Sequence, residues 1–288
     1  MMMKKRNVLN SPRLLRLKKK KRRVFLNKIL LAILGFLAIF FLLAYLSRNQ
    51  GLNISSVEIT GNVITDTSAI RDIVEQNISG KYLWLFPKTN ILFYPKGAIR
   101  KDLSDNFKRL EDITFFVQDR KILKVSLSER KGLYIWCGGL VPEDSSADNQ
   151  CYFMDKDGYV FAEAPFFSGD VYFKFYGSLG LNQEFSLGSY FKPKNFQKLI
   201  TFKNILSDIG LNPVSLHTTN SGDATVFLAG SFVKPQVIFK IDSDVEKVAE
   251  NLETALTTEP LQSDFKNKYA SLLYIDLRYG NKVYYKFK

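Results

Sequence analysis

One stretch limits the folds open to this chain more than any other. Ile29–Leu46 reads ILLAILGFLAIFFLLAYL, without a charge or a proline. As a helix it would be about 27 Å long, close to the hydrocarbon thickness of a bilayer. A helix satisfies its own backbone N–H and C=O groups, so it can cross lipid alone. A buried helix of a soluble protein would show a polar face somewhere, and this run has none. We therefore read residues 28–47 as a transmembrane helix and 1–27 as a tail outside the lipid.

The flanks orient the helix. Twelve lysines and arginines precede the run, from Lys4 to Lys28, with no acidic residue among them. One cation, Arg48, follows closely. Positive flanks stay in the cytoplasm, so the expectation is a cytoplasmic N-terminus, an extracytoplasmic body and a plasma-membrane location. A cleaved signal peptide fits less well, because the run is long and no small-x-small site follows it. The net charge of +13 comes from the same tail. Without those twelve cations, 29 basic residues face 28 acidic ones. The excess lies beside lipid headgroups, and nucleic-acid binding is not implied.

The remaining chain reads as two α+β units. In residues 53–130, Ile54, Val57 and Ile59 mark a strand ending at Gly61-Asn62. A helix capped by Asp66 or Thr67 follows, with Ile70, Ile73, Val74 and Ile78 on one stripe and a stop at Gly80. The apolar segment KYLWLFPKTNILFYP, interrupted by Pro87 and Pro95, reads as a packed connection covering the helices. A second helix starts near Pro95 or Lys96, with Ile99, Leu103, Phe107 and Leu110 along one face. Two strands follow, turning at Asp119-Arg120, with Ile122, Val125 and Leu127 expected to face inward.

Residues 131–288 read as a mixed β domain with two helices. Strands are expected near Leu133–Cys137 and in the hairpin CYFMDKDGYVFAEAP, turned at Asp157-Gly158. More are expected at DVYFKFYG, SLHTT, ATVFLAG and PQVIFKI. The helices are Pro193–Ile209 and Asp244–Leu256, the latter capped by Asp242 or Ser243. The chain closes with an antiparallel pair, Leu273–Leu277 and Val283–Phe287, turned at Gly280-Asn281. Cys137 and Cys151 are the only cysteines. Outside the cytoplasm such a pair reads as a disulfide, worth roughly 3 kcal/mol by loop entropy.

Several motifs look catalytic and fail on context. Ser189-Tyr190-Phe191-Lys192 and Ser263-Asp264-Phe265-Lys266 fit S-x-x-K, and Ser104-Asp105-Asn106 fits S-D-N. Their order is wrong for a penicillin-binding enzyme and no K-T-G follows. Asp155 and Asp157 could open a calcium loop, but later ligands are missing. His217 beside Thr218 and Thr219 reads as a strand residue. Asn53-Ile54-Ser55 and Asn77-Ile78-Ser79 fit the N-glycosylation pattern, which chance often supplies. No catalytic residue, metal site or cofactor is expected, and the chain reads as a non-enzyme. A membrane-anchored wall enzyme or glycan-binding module is the competing reading; the enzyme would need two converging carboxylates in an aromatic cleft.

The order of these elements resembles a known family. Val57, Ile59 and Gly61 just after a single span, then two helices and a hairpin ending in Glu129-Arg130, resemble the POTRA domain of the bacterial division protein family FtsQ, or DivIB. The family's proline before the second strand is replaced by Leu110-Glu111-Asp112. The Asp155-Lys156-Asp157-Gly158 turn with Val160 and Phe161 resembles a hairpin of the family's β domain. The run Ile275-Asp276-Leu277-Arg278-Tyr279 resembles that domain's closing strand. The resemblance implies a β-α-α-β-β POTRA domain at 53–130 and an FtsQ-type β domain at 131–288. It implies a scaffold at the division septum that binds small bitopic coiled-coil proteins of the FtsB and FtsL types and links them to septal peptidoglycan synthesis. The exposed edge of a sheet can take up such a partner. The candidate contact residues are Tyr274, Asp276, Arg278, Tyr279, Val283, Tyr284, Tyr285 and Phe287, with Lys282, Lys286 and Lys288 guarding the edge.

Overall fold

The computed structural model describes residues 12–141, 150–167, 169–179, 187–192, 194–230 and 234–288. The chain divides into two compact units: residues 1–103 with 112–127, and residues 104–111 with 128–288.

The first unit begins with helix α1, Pro12–Ser47. It is long and apolar enough to cross a membrane, and most of its apolar side chains are exposed. Strand β1 (Ser56–Thr60) pairs in parallel with β5 (Ile122–Glu129), and β5 lies beside β4 (Leu110–Gln118) in a three-stranded sheet. Between β1 and β4 run α2 (Thr67–Ile78), a two-stranded hairpin of β2 (Lys81–Tyr82) and β3 (Phe86–Pro87), and α3 (Lys96–Asn106). The parallel β1–β5 pairing needs a long crossover, and both helices lie in it. Asp66 caps α2, accepting from the Ser68 amide at 3.1 Å. Ile70, Val74 and Ile78 are its buried face. Gly61 has a positive φ of 97°, and a Cβ there would lie 1.8 Å from the Leu127 carbonyl oxygen. Only glycine fits so close to β5.

Three expectations for this unit need correction. The segment 81–95 is packed only in part: Asn90 and Tyr94 are buried, but Leu83, Trp84, Leu92 and Phe93 are exposed. Helix α3 stops at Asn106, so Phe107 and Leu110 are not on its face. Leu110 opens β4, where Asp112 at φ 51° interrupts the strand's alternation. On β5 the inward set is Leu123, Val125 and Leu127, while Ile122 is only half-buried. A strand's period of two puts 123, 125 and 127 on one face and Ile122 on the other.

The second unit is built on a nine-stranded mixed sheet, ordered β14-β13-β12-β11-β10-β9-β6-β7-β8. Strands β6 (Tyr134–Trp136), β7 (Tyr152–Met154), β8 (Val160–Glu163) and β9 (Lys174–Tyr176) form one half. Strands β10 (Pro213–Thr218), β11 (Asp223–Leu228), β12 (Gln236–Lys240), β13 (Leu272–Tyr279) and β14 (Lys282–Phe287) form the other. His217 lies on β10, as expected. Helix α4 (Phe196–Asp208) makes the crossover between the parallel strands β9 and β10. Helices α5 (Val245–Leu256) and α6 (Leu261–Lys268) make the one between β12 and β13. The helices and one face of the sheet enclose a single core, with Phe175, Phe191, Phe196, Phe202 and Phe239 fully buried. Phe202 of α4 and Phe239 of β12 meet at 4.3 Å between ring centroids.

The cap of α5 is Asp244, whose carboxylate accepts from the Glu246 and Lys247 amides, not Asp242 or Ser243. Cys137 and Cys151 are bonded to each other. Part of the loop between them, 142–149, lies outside the described residues.

Arg130, just past β5, ties this unit together. Its guanidinium pairs with Glu111 at 3.3 Å and, more closely, with Asp155. It also lies over the Tyr159 ring at 4.3 Å. The other oxygen of Asp155 accepts from the amides of Asp157 and Tyr159, at 2.8 and 3.0 Å. Asp155 therefore shapes the β7–β8 turn and anchors Arg130.

Candidate functional site

The two ends of the nine-stranded sheet differ. At one end the backbone at the start of β8, Val160 and the preceding Gly158, is met by residues 188–191. Val160 N–H donates to Ser189 O, Gly188 N–H donates to Val160 O, and Phe191 N–H donates to Gly158 O. At the other end lies β14, and among the described residues no strand pairs with its outer side.

The strand alternates strictly. Val283, Tyr285 and Phe287 are half-buried and pack against the core, while Lys282, Tyr284 and Lys286 are exposed. The Lys288 amide donates to Ser271 O at 2.8 Å. Backbone direction alternates along a strand, so the amides of Tyr284 and Lys286 also face β13. Those of Val283, Tyr285 and Phe287 then face the open edge. Gly280, at φ 66°, makes the turn between the two strands.

The predicted contact residues fall into four sets. Tyr279 and Tyr284 are outward, 57% and 49% exposed, with ring centroids 5.3 Å apart and edge to face. Tyr274 is half-buried and lies opposite Lys286 of β14. Val283, Tyr285 and Phe287 join the core and hold β14 in place.

Asp276 and Arg278 are turned toward each other. Arg278 Nε and Nη2 donate to the two oxygens of Asp276 at 2.9 and 2.7 Å, and Nη1 donates to Asp223 of β11 at 2.9 Å. Burial pushes the Asp276 carboxyl upward, but the Arg278 side-chain and backbone hydrogen bonds outweigh it and leave the pKa below its ordinary value. The same hydrogen bonds to Asp276 and Asp223 raise the pKa of Arg278. This cluster braces β13 against β11. Asp223 was not among the sequence candidates; 55 residues separate it from Arg278.

No family model matches this chain, and no curated protein is a significant match. The candidate site is a six-residue edge strand with a cationic, aromatic outer face, braced from behind by the partly exposed Arg278 paired with the buried Asp276. Such an edge offers three backbone N–H groups and their carbonyls to an added strand. Lysines along it oppose pairing with a second copy of itself.

Proposed function

We propose that this chain is a non-enzymatic, single-span membrane scaffold that takes up a partner segment as a further strand on β14. The observation that carries the reading is the contrast between the two sheet ends: β8 is met at its first residue, Val160, by Gly188 and Ser189, while among the described residues no strand pairs with the outer side of the lysine-guarded β14. Backbone hydrogen bonds would supply affinity, and alternate side chains would supply specificity. Tyr284 and Lys286 would lie beside the incoming side chains, favouring an aromatic or β-branched residue and an acidic one.

The resemblance to the FtsQ family supplies the setting. In that reading the N-terminus is cytoplasmic and both units are extracytoplasmic. Residues 53–130 act as a POTRA domain and 131–288 as an FtsQ-type β domain. Bitopic coiled-coil proteins of the FtsB and FtsL types dock on β14, and the assembly connects early division components with septal peptidoglycan synthesis. The positive tail, the disulfide and the Ile275–Tyr279 strand support it.

Removing all of 273–288 would be a poor test, because Ile275 and Leu277 of β13 are core residues. A Tyr284→Ala, Lys286→Glu double variant changes only outward side chains. Two cross-strand pairs are worth about 1–2 kcal/mol together, so recovery of the coiled-coil partners from detergent-solubilised membranes should fall about tenfold. Unchanged recovery would overturn the assignment of β14 as the docking edge.

A further inference from the structure

The first unit carries an apolar projection that strand addition on β14 does not use. Between β2 and β3 the chain turns through Leu83 and Trp84, both at positive φ, 47° and 63°. These conformations cost bulky residues energy. The turn displays both side chains outward, Leu83 72% and Trp84 91% exposed. Leu92 and Phe93, shortly after, are also exposed. A patch this apolar on a soluble surface marks an interaction site.

The hairpin packs on the last turns of α1. The Phe86 ring meets Phe40 of α1 edge to face at 5.3 Å, and Phe93 meets Phe86 at 6.4 Å. Ser47 O accepts from the side chains of Asn53 and Asn90, and Arg48 Nε donates to Leu85 O. On α1 itself, Ala44 and Ser47 are buried, while Phe41, Leu43 and Tyr45 are exposed. Phe40 lies six residues before the end of the apolar run, about 9 Å along the helix axis. A ring seated on Phe40 therefore belongs below the end of the span.

We infer that the β2–β3 hairpin dips into the bilayer beside α1, placing Trp84 and Leu83 at the boundary between headgroups and acyl chains. This rests on α1 spanning a membrane. Continuity with the span selects lipid as the occupant, since whatever surrounds Phe41 and Tyr45 also reaches the hairpin. The depth suits a hairpin: about 5–10 Å is the range for interfacial elements, and tryptophan favours that layer. Lys81 and Lys88 flank the hairpin and can reach lipid phosphates by extending upward. A second foothold of this kind would restrict tilt and rotation of the first unit on the membrane.

The test uses the full chain in vesicles of phosphatidylcholine, with and without brominated acyl chains. The protein has two tryptophans, and a Trp84→Phe chain supplies the signal of Trp136, which is buried and donates to Gly177 O. The wild-type minus Trp84→Phe difference should be blue-shifted and largely lost in brominated vesicles. Carbonate washing is run on the same vesicles. If the protein stays with the lipid and the difference signal is unquenched and water-like, the hairpin inference fails while the span stands. If carbonate strips the protein off, the span and the inference fall together. Trp84 emission that shifts only when a partner protein is added would also overturn lipid as the occupant.

Discussion

A chain carrying Arg130→Ala is expected to lose about 4 kcal/mol of stability in its second unit, since removing one member of a buried pair typically costs 3–5 kcal/mol. The side chain of Asp155 is only 5% exposed and that of Arg130 17%. Without the guanidinium, Asp155 keeps its two amide donors but loses its counter-ion, Glu111 loses its counter-ion too, and the Tyr159 ring loses the cation over its face. Urea unfolding of the detergent-solubilised chain, followed by the emission of Trp136 in the Trp84→Phe background, measures the effect. Arg130→Lys should recover only part, because an ammonium cannot pair with two carboxylates and lie flat over Tyr159 together. A loss below about 1 kcal/mol, the size of a surface pair, would show that Arg130 does not hold the unit together.

Arg278→Ala should cost about 3 kcal/mol, at the lower end of the same range because Arg278 is partly exposed. The pH dependence identifies the cause. In the wild type, Asp276 titrates below its ordinary 3.8. A carboxyl with a lowered folded pKa contributes stability above its unfolded pKa, and that contribution disappears as the pH falls through the folded value. In Arg278→Ala the guanidinium's hydrogen bonds and charge are gone, and only the backbone amide of residue 278 still opposes the effect of burial, so the Asp276 pKa rises from its wild-type position. The difference between the two chains should be largest near neutral pH and shrink below about pH 4. Unfolding curves at several pH values check this. A difference independent of pH would mean that Arg278 acts by packing alone.

Some features were legible because they depend on neighbours in sequence. The span is one uninterrupted run, Ile29–Leu46. Asp157-Gly158 and Gly280-Asn281 carry their turns in their residue types, and the two cysteines had only each other. The features that were missed depend on distant residues or on strain. Nothing in Leu83-Trp84 announces a turn, since glycine or asparagine usually occupies such positions. Helix α6 has one buried residue, Leu261, in a mostly polar octet, so no apolar stripe marks it. Reading Ile122 as inward failed on parity: two adjacent apolar residues, Ile122 and Leu123, leave the face open until Val125 and Leu127 fix it. At the candidate site, the sequence pattern pointed to the last two strands but could not separate outward Tyr284 from inward Tyr285. Nor could it show that Asp276 and Arg278 spend their charges on each other and on Asp223.

Residue-resolved amide hydrogen exchange on β14 tests the central claim most directly. In the free protein the amides of Tyr284 and Lys286, bonded to β13, should exchange slowly, while those of Val283, Tyr285 and Phe287 should exchange quickly. With a coiled-coil partner bound, these three should slow together, as only a new strand along the edge can require. A bound partner that leaves Val283, Tyr285 and Phe287 exchanging as before would contradict the account.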